Sequence, residues 1–285
     1  MALNNMKTAT ITFHAPNNNG SFLQAYALQK YITTHFDNVE NEIIDFQPES
    51  QQQQYAIFRK IHSKKDILRN LISFWHYKAL SKRFLAFSEM REKYLKMTKR
   101  CTTTEEALKI AGNYDLVIAG SDQIWNTTAR DFSEAFFLPG ISKKSTYAVS
   151  CGSHLNEVDC DRICSAMEAF KNVSVREIDT REFLEKHTKR SIETVLDPTF
   201  LLTKEDYSGL YDKERILKEK YIFLYTINYD EDALKQTVRV AERWGCKIVT
   251  PFTGYSAIKV QHEVGGLDGP LVLVQVRGRR FFKSD

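Results

Sequence analysis

The segment YDLVIAGSDQIWN, residues 114–126, limits the fold more than any other part of the chain. Its run from Leu116 to Ala119 is continuously apolar rather than alternating, the pattern of a strand buried on both faces of a parallel sheet. Gly120, Ser121 and Asp122 stand at the carboxyl end of that strand, where open parallel sheets place their ligand-binding loops. Parallel neighbours need crossover connections, usually helices, so strands and helices must alternate along the chain.

The remaining sequence alternates in that way. Ala9 to Phe13 mixes β-branched and aromatic residues and predicts a strand, PNNNG a loop, and the stripe Leu23, Ala27, Tyr31 a helix from Ser21 to about His35. NEIIDF supplies a second short strand ending at Phe46, and QPESQQQQ a polar surface loop. A helical insertion of Lys, Arg, Leu and Phe fills about residues 52–100; its basic residues suit an anionic partner such as a lipid headgroup or lipid-linked substrate, or simply form a solvated helix face. Thr104 or a neighbour reads as the next helix N-cap. Further strands are expected at Ser145–Ser150, Val173–Arg176 and Glu193–Leu196, with helices at about Asn156–Phe170 and Glu177–His187. YIFLYTI, a helix from about Glu231 to Trp244, CKIVTPF and a strand at Leu271–Val276 begin the same alternation again. The predicted fold is therefore α/β, with a Rossmann-like domain over 1–203 and a partial second one over 204–285.

Composition removes several function classes. With 42% hydrophobic residues the chain can bury a core, and 40 Lys+Arg against 36 Asp+Glu gives only +4, which on charge alone makes no nucleic-acid binder. Cys101, Cys151, Cys160, Cys164 and Cys246 are odd in number and form no CxxC pair, which suits a reducing cytoplasm. Cys160 and Cys164 stand four apart on a predicted helix, but no further His or Cys completes a tetrahedral set, so no metal is expected. No stretch approaches the roughly 20 apolar residues of a bilayer span, and residues 1–7 lack the pattern of a leader peptide.

Chemistry is expected at the strand ends. Gly20 allows a tight backbone approach, and the free N–H groups of Ser21, Phe22 and Leu23 either attract an anion or are satisfied by a simple helix cap. Ser121, Asp122 and Gln123 either bond sugar hydroxyls or cap the next helix, and Trp125 either stacks on a sugar face or enters the core. Cys151 near His154 has the composition of a nucleophile and base without an orienting third residue, and His154 alone suits phosphate binding or acid–base work. Arg176 emerges after apolar strand residues, so its planar fork either grips a phosphate or carboxylate or pairs with Glu177 or Asp179.

NNGSFLQAYALQ, DLVIAGSDQIWN, YAVSCG, SVREIDT and VLDPTFLL, in this order and spacing, resemble the polysaccharide pyruvyl transferase family over about residues 7–270. The resemblance implies a two-domain fold of the glycosyltransferase-B type. It also implies transfer of the pyruvyl group of phosphoenolpyruvate to hydroxyls of a sugar or lipid-linked saccharide in capsule, exopolysaccharide or cell-wall synthesis, without metal or other cofactor. By similarity Arg176 holds the donor anion, Asn19, Gly20 and Ser21 line the cleft, and Asp122, Trp125 and Asn126 lie near the acceptor. Family members continue past Gly269-Pro270 into an NSFHG-like motif whose His completes the donor site, whereas here LVLVQVRGRRFFKSD follows, the pattern of a truncated chain with reduced activity. A nucleotide-sugar glycosyltransferase of the same fold and a non-catalytic sugar- or anion-binding protein are the competing expectations.

Overall fold

A computed structural model of the chain describes residues 5–152, 155, 157–210, 219–226, 230–250 and 273–275. Strands β1 (Met6–Ile11), β2 (Val39–Ile43), β3 (Leu116–Gly120) and β4 (Lys144–Tyr147) form a parallel sheet in the order β2-β1-β3-β4. A parallel pairing of Val149 with Val175 carries the pattern to β5 (Ser174–Val175) and β6 (Glu193–Thr194). At the opposite edge Ile43 pairs with Met97 and Phe46 with Cys101.

Strand β1 explains how the two faces divide. Successive side chains point to opposite sides of a sheet, so Ala9, Ile11 and Phe13 enter the large apolar core while Thr8, Thr10 and Thr12 face the other way. On that polar side Asn41 donates to the hydroxyls of Thr8 at 2.9 Å and Thr10 at 3.2 Å, so the buried polar atoms are paired. Helix α1 (Asn19–His35) covers this face and touches the end of β3. A Cβ on Gly120 would stand 2.6 Å from Leu28 Cδ2, so glycine permits the approach.

Two glutamines of α1 act as clamps. Gln24 Nε2 donates to Thr12 Oγ1 at 3.0 Å and to the carbonyls of Phe13 and Ser21, both at 2.9 Å. Gln29 Nε2 donates to the carbonyls of Asn41 and Lys96, and Gln29 Oε1 accepts from the Lys96 N–H at 2.9 Å. The helix starts two residues before the expected Ser21 because the Asn18 side chain accepts the Gly20 N–H and caps it.

Residues 49–54, expected within a polar loop, belong instead to helix α2 (Glu49–Tyr55), with Pro48 at the N-cap, Glu49 in the first turn and Gln51 buried. The predicted insertion contains α3 (Lys64–Trp75) and α4 (Tyr77–Tyr94). In α5 (Thr104–Ala111) the cap is Thr103, which forms a capping box with Glu106. Helices α6 (Glu157–Met167) and α7 (Ile178–Glu185) follow. Strand β4 is shorter than expected because Ala148 takes a left-handed φ of 52° and gives its N–H to Ser174 Oγ.

Contacts divide the chain into two compact units, Met1–Ser208 and Gly209–Asp285. The second contains β7 (Tyr221–Phe223), α8 (Glu231–Trp244), β8 (Lys247–Thr250) and β9 (Leu273–Gln275), with the strands parallel in the order β7-β8-β9. Helix α8 has the bounds its sequence pattern predicts: Asp230 caps its first turn and Gly245, at φ 58°, ends it. Each unit is thus an α/β structure on a parallel sheet.

Candidate active site

In the first unit the carboxyl ends of β1, β3, β5 and β6 are joined by one chain of hydrogen bonds. Gln24 links Thr12 to the start of α1, and the Ser21 hydroxyl donates to Asp122 Oδ2 at 2.7 Å. The other carboxylate oxygen of Asp122 accepts the Gln123 N–H at 2.8 Å. Both oxygens of the half-buried Asp122 are therefore oriented by hydrogen bonds.

The next link is Ser121, whose carbonyl accepts from Thr12 Oγ1 and whose hydroxyl donates to Asp197 Oδ2 at 3.3 Å. Asp197 Oδ2 also receives Arg176 Nη1 at 2.9 Å, while Arg176 Nε binds Glu177 Oε1 at 3.0 Å. Asp197 Oδ1 accepts the N–H and hydroxyl of Thr199 at 2.9 and 2.7 Å. Burial pushes the Asp197 pKa up, but the Thr199 and Arg176 hydrogen bonds outweigh it and hold the carboxyl below its usual range. Burial likewise disfavours the Arg176 charge, and its bonds to Asp197 and Glu177 overcome this and raise its pKa. Of the partners weighed from sequence, Glu177 pairs with Arg176; Asp197 takes the place of Asp179.

Ser121 and Asp122 have φ of 39° and 59°, a left-handed pair in which neither residue is glycine. This turn sends the chain inward, where the Trp125 N–H meets the Ser150 carbonyl at 3.1 Å. Two side chains weighed as sugar ligands lie in the interior as a result. Trp125 is fully buried between Phe137 and Phe170, so its indole offers no face to a sugar. Ser121 is also fully buried and serves to join Thr12 to Asp197.

Asn126 stays half-buried and packs against Gly152, where a Cβ would lie 2.6 Å from Asn126 Nδ2 and the φ is 77°. Gly152 is thus fixed by both conformation and close approach. In the first turn of α1, beside the cap, Gly20 is exposed and Asn19 half-buried. Cys151 is buried, and burial raises its thiol pKa, the opposite of an activated nucleophile. His154 lies outside the described residues. Cys160 and Cys164 meet in the core at 3.7 Å, and among the described residues no group of three His, Cys, Asp or Glu side chains is placed to hold a metal ion.

The sequence reading missed a buried pair at the ends of β1 and β2. His14 Nε2 lies 2.9 Å from Asp45 Oδ1 and Nδ1 3.2 Å from the Thr12 carbonyl, so each ring nitrogen has an oxygen partner. Arg100 Nε contacts Asp45 Oδ2 at 3.1 Å. The signal in the sequence was a polar residue at the end of each of two predicted strands, His14 after Phe13 and Asp45 beside Phe46, which parallel pairing brings to one sheet edge.

Burial would raise the Asp45 pKa, but its contacts with His14, Gln47 and Arg100 hold it down to about 2. A depressed carboxyl contributes stability above its unfolded pKa and loses it as pH falls through the folded value. Urea unfolding should therefore find Asp45→Asn less stable than the parent by roughly 2 kcal/mol near neutrality, with the gap closing between about pH 4 and pH 2. A gap that stays constant over that interval would contradict the assignment.

Among the described residues no helix is long and apolar enough to cross a membrane. A comparison with curated proteins returns no match. Among solved structures, a heptosyltransferase WaaC from E. coli, with ADP-2-deoxy-2-fluoro heptose, aligns at 13% identity and a TM-score of 0.30 over 90% of this chain and 71% of its own. The family model for polysaccharide pyruvyl transferase matches residues 18–258, which include α1, the β3 turn, Arg176 and Asp197; the chain belongs to the polysaccharide pyruvyl transferase family.

Proposed function

We propose that this protein transfers the pyruvyl group of phosphoenolpyruvate to a saccharide as a ketal, in the assembly of a capsule, exopolysaccharide or cell-wall polymer. Family membership supports the reaction class. The observation that carries the residue roles is the hydrogen-bonded line from Ser21 through Asp122 and Ser121 to Asp197 and Arg176.

In this reaction the methylene carbon of phosphoenolpyruvate takes a proton and the adjacent carbon becomes electron-poor. One sugar hydroxyl attacks that carbon and gives up its proton. A second hydroxyl then displaces inorganic phosphate and closes the ketal. Asp122, oriented by Ser21 and by the Gln123 N–H, is suited to receive a hydroxyl proton. Arg176 is suited to hold the donor carboxylate or phosphate, because Asp197 and Glu177 fix its Nη1 and Nε and thereby the plane of the fork. Asn19, Gly20 and Asn126 would border the acceptor, and His154 would supply the proton.

Thermal unfolding of the full chain in the presence of candidate donors tests this reading. Phosphoenolpyruvate at about 100 times its dissociation constant should stabilise the fold by roughly 2.7 kcal/mol, a rise of several degrees in Tm, and inorganic phosphate should compete. Stabilisation by a nucleoside diphosphate sugar, with none from phosphoenolpyruvate, would replace the proposal with a glycosyltransferase.

A further inference from the structure

Helix α3 is seated with its apolar side outward. At about 100° per residue, Ile67, Leu68, Leu71, Ile72, Phe74 and Trp75 form one continuous stripe covering nearly half its circumference. These six side chains are between 46% and 82% exposed, with Trp75 the most exposed. The polar side faces the protein: Ser73 is buried, Arg69 donates to the Ala56 carbonyl, and Asn70 exchanges hydrogen bonds with the backbone of Arg59 at 2.9 and 3.0 Å. Phe58 stacks on Tyr77 at 5.8 Å, and exposed Phe84 and Leu85 add apolar surface on α4. An apolar face of this extent is a binding surface, because leaving it in water forfeits the burial that stabilises an amphipathic helix.

Charge identifies the occupant. Residues 57–85 contain eight Lys and Arg against the single acid Asp66, although the whole chain has a net charge of only +4. Lys64, Lys65, Lys78 and Lys82 are all exposed beside the stripe. A second copy would press two such basic surfaces together, and a nucleic acid would leave the leucines and isoleucines wet. An anionic bilayer takes both halves: its acyl boundary accepts the aliphatic stripe, its headgroup layer accepts Trp and Tyr, and its phosphates attract the lysines.

We propose that α3 and the start of α4 dock this protein on an anionic lipid membrane surface, with the α3 stripe immersed at the headgroup boundary. Helix α4 also holds the loop before α1, since Arg83 donates to the Asn17 carbonyl and Arg91 to the Ala15 carbonyl, each at 2.9 Å. Docking therefore positions the α1 edge of the candidate site relative to the lipid surface. The inference stands on exposure and charge and is independent of the donor.

The test is co-sedimentation of the full chain with vesicles of phosphatidylcholine alone and of phosphatidylcholine mixed with phosphatidylglycerol. Binding should favour the anionic vesicles, weaken with added salt, and shift tryptophan emission to the blue in the parent but not in Trp75→Phe. The pairs Leu71→Gln with Trp75→Gln, and Lys64→Glu with Lys65→Glu, should each reduce binding by about tenfold or more. Both pairs change exposed residues and should keep the parent's unfolding midpoint, so either one reads docking separately from folding. No sedimentation with anionic vesicles, or equal sedimentation of both pairs and parent, would overturn the proposal. So would a dimer that the Leu71 and Trp75 changes dissolve, or retention by RNA in place of vesicles.

Discussion

Replacing Trp125 with alanine is expected to lower folding stability by about 3–5 kcal/mol, the range for deleting a large, fully buried aromatic. The indole is sealed between Phe137 and Phe170, with ring centroids at 5.7 and 5.5 Å, and its Nε1–H donates to the Phe136 carbonyl at 3.4 Å. Truncation therefore leaves a cavity and removes the donor for a buried carbonyl. Trp125→Phe should cost less, because the ring volume is partly kept while the hydrogen bond is lost. Urea unfolding followed by far-ultraviolet circular dichroism measures both. If alanine costs less than about 1 kcal/mol while saccharide binding disappears, the tryptophan is a stacking platform and its placement in the core is wrong.

That residue also marks the limit of what the sequence discloses. GSDQIWN is rich in groups that bind sugars, and its position after a buried strand was legible as a loop at the sheet edge. The direction of the loop was not, because it depends on left-handed φ values at Ser121 and Asp122, residue types that give far weaker notice of that conformation than glycine does. The order of strands and helices, by contrast, follows from local periodicity, and so the bounds of α8 and the apolar run of β3 were readable. Strand ends were readable only roughly, since Ser174 captures the Ala148 N–H through a contact between distant parts of the chain. Helix α3 shows the same division. That the insertion is helical was visible, whereas the choice to bury Ser73 and expose Trp75 depends on partners at Ala56 and Arg59 that local sequence does not contain.

Arg176 was placed at the sheet edge correctly, but whether it grips a ligand or a neighbouring acid was left open; the structure supplies the acids and leaves a definite experiment. Among the described residues its Nη2 makes no hydrogen bond, while Nε and Nη1 are held by Glu177 and Asp197. A guanidinium anchored on two of its three nitrogens keeps one edge for an incoming anion and loses little side-chain entropy when that anion binds. On the proposed function, Arg176→Ala should weaken phosphoenolpyruvate binding by about 100-fold, the loss expected for a charge-assisted hydrogen bond to a desolvated anion. Arg176→Lys should recover about tenfold of that, since it restores charge without the planar fork. A purely structural ion pair would give a different result. The alanine variant would unfold more readily because Asp197 and Glu177 lose their cation, yet its folded fraction would bind phosphoenolpyruvate as the parent does. Calorimetric titration of the folded variants, read beside their unfolding midpoints, separates the two, and unchanged affinity in Arg176→Ala would remove Arg176 from the donor site.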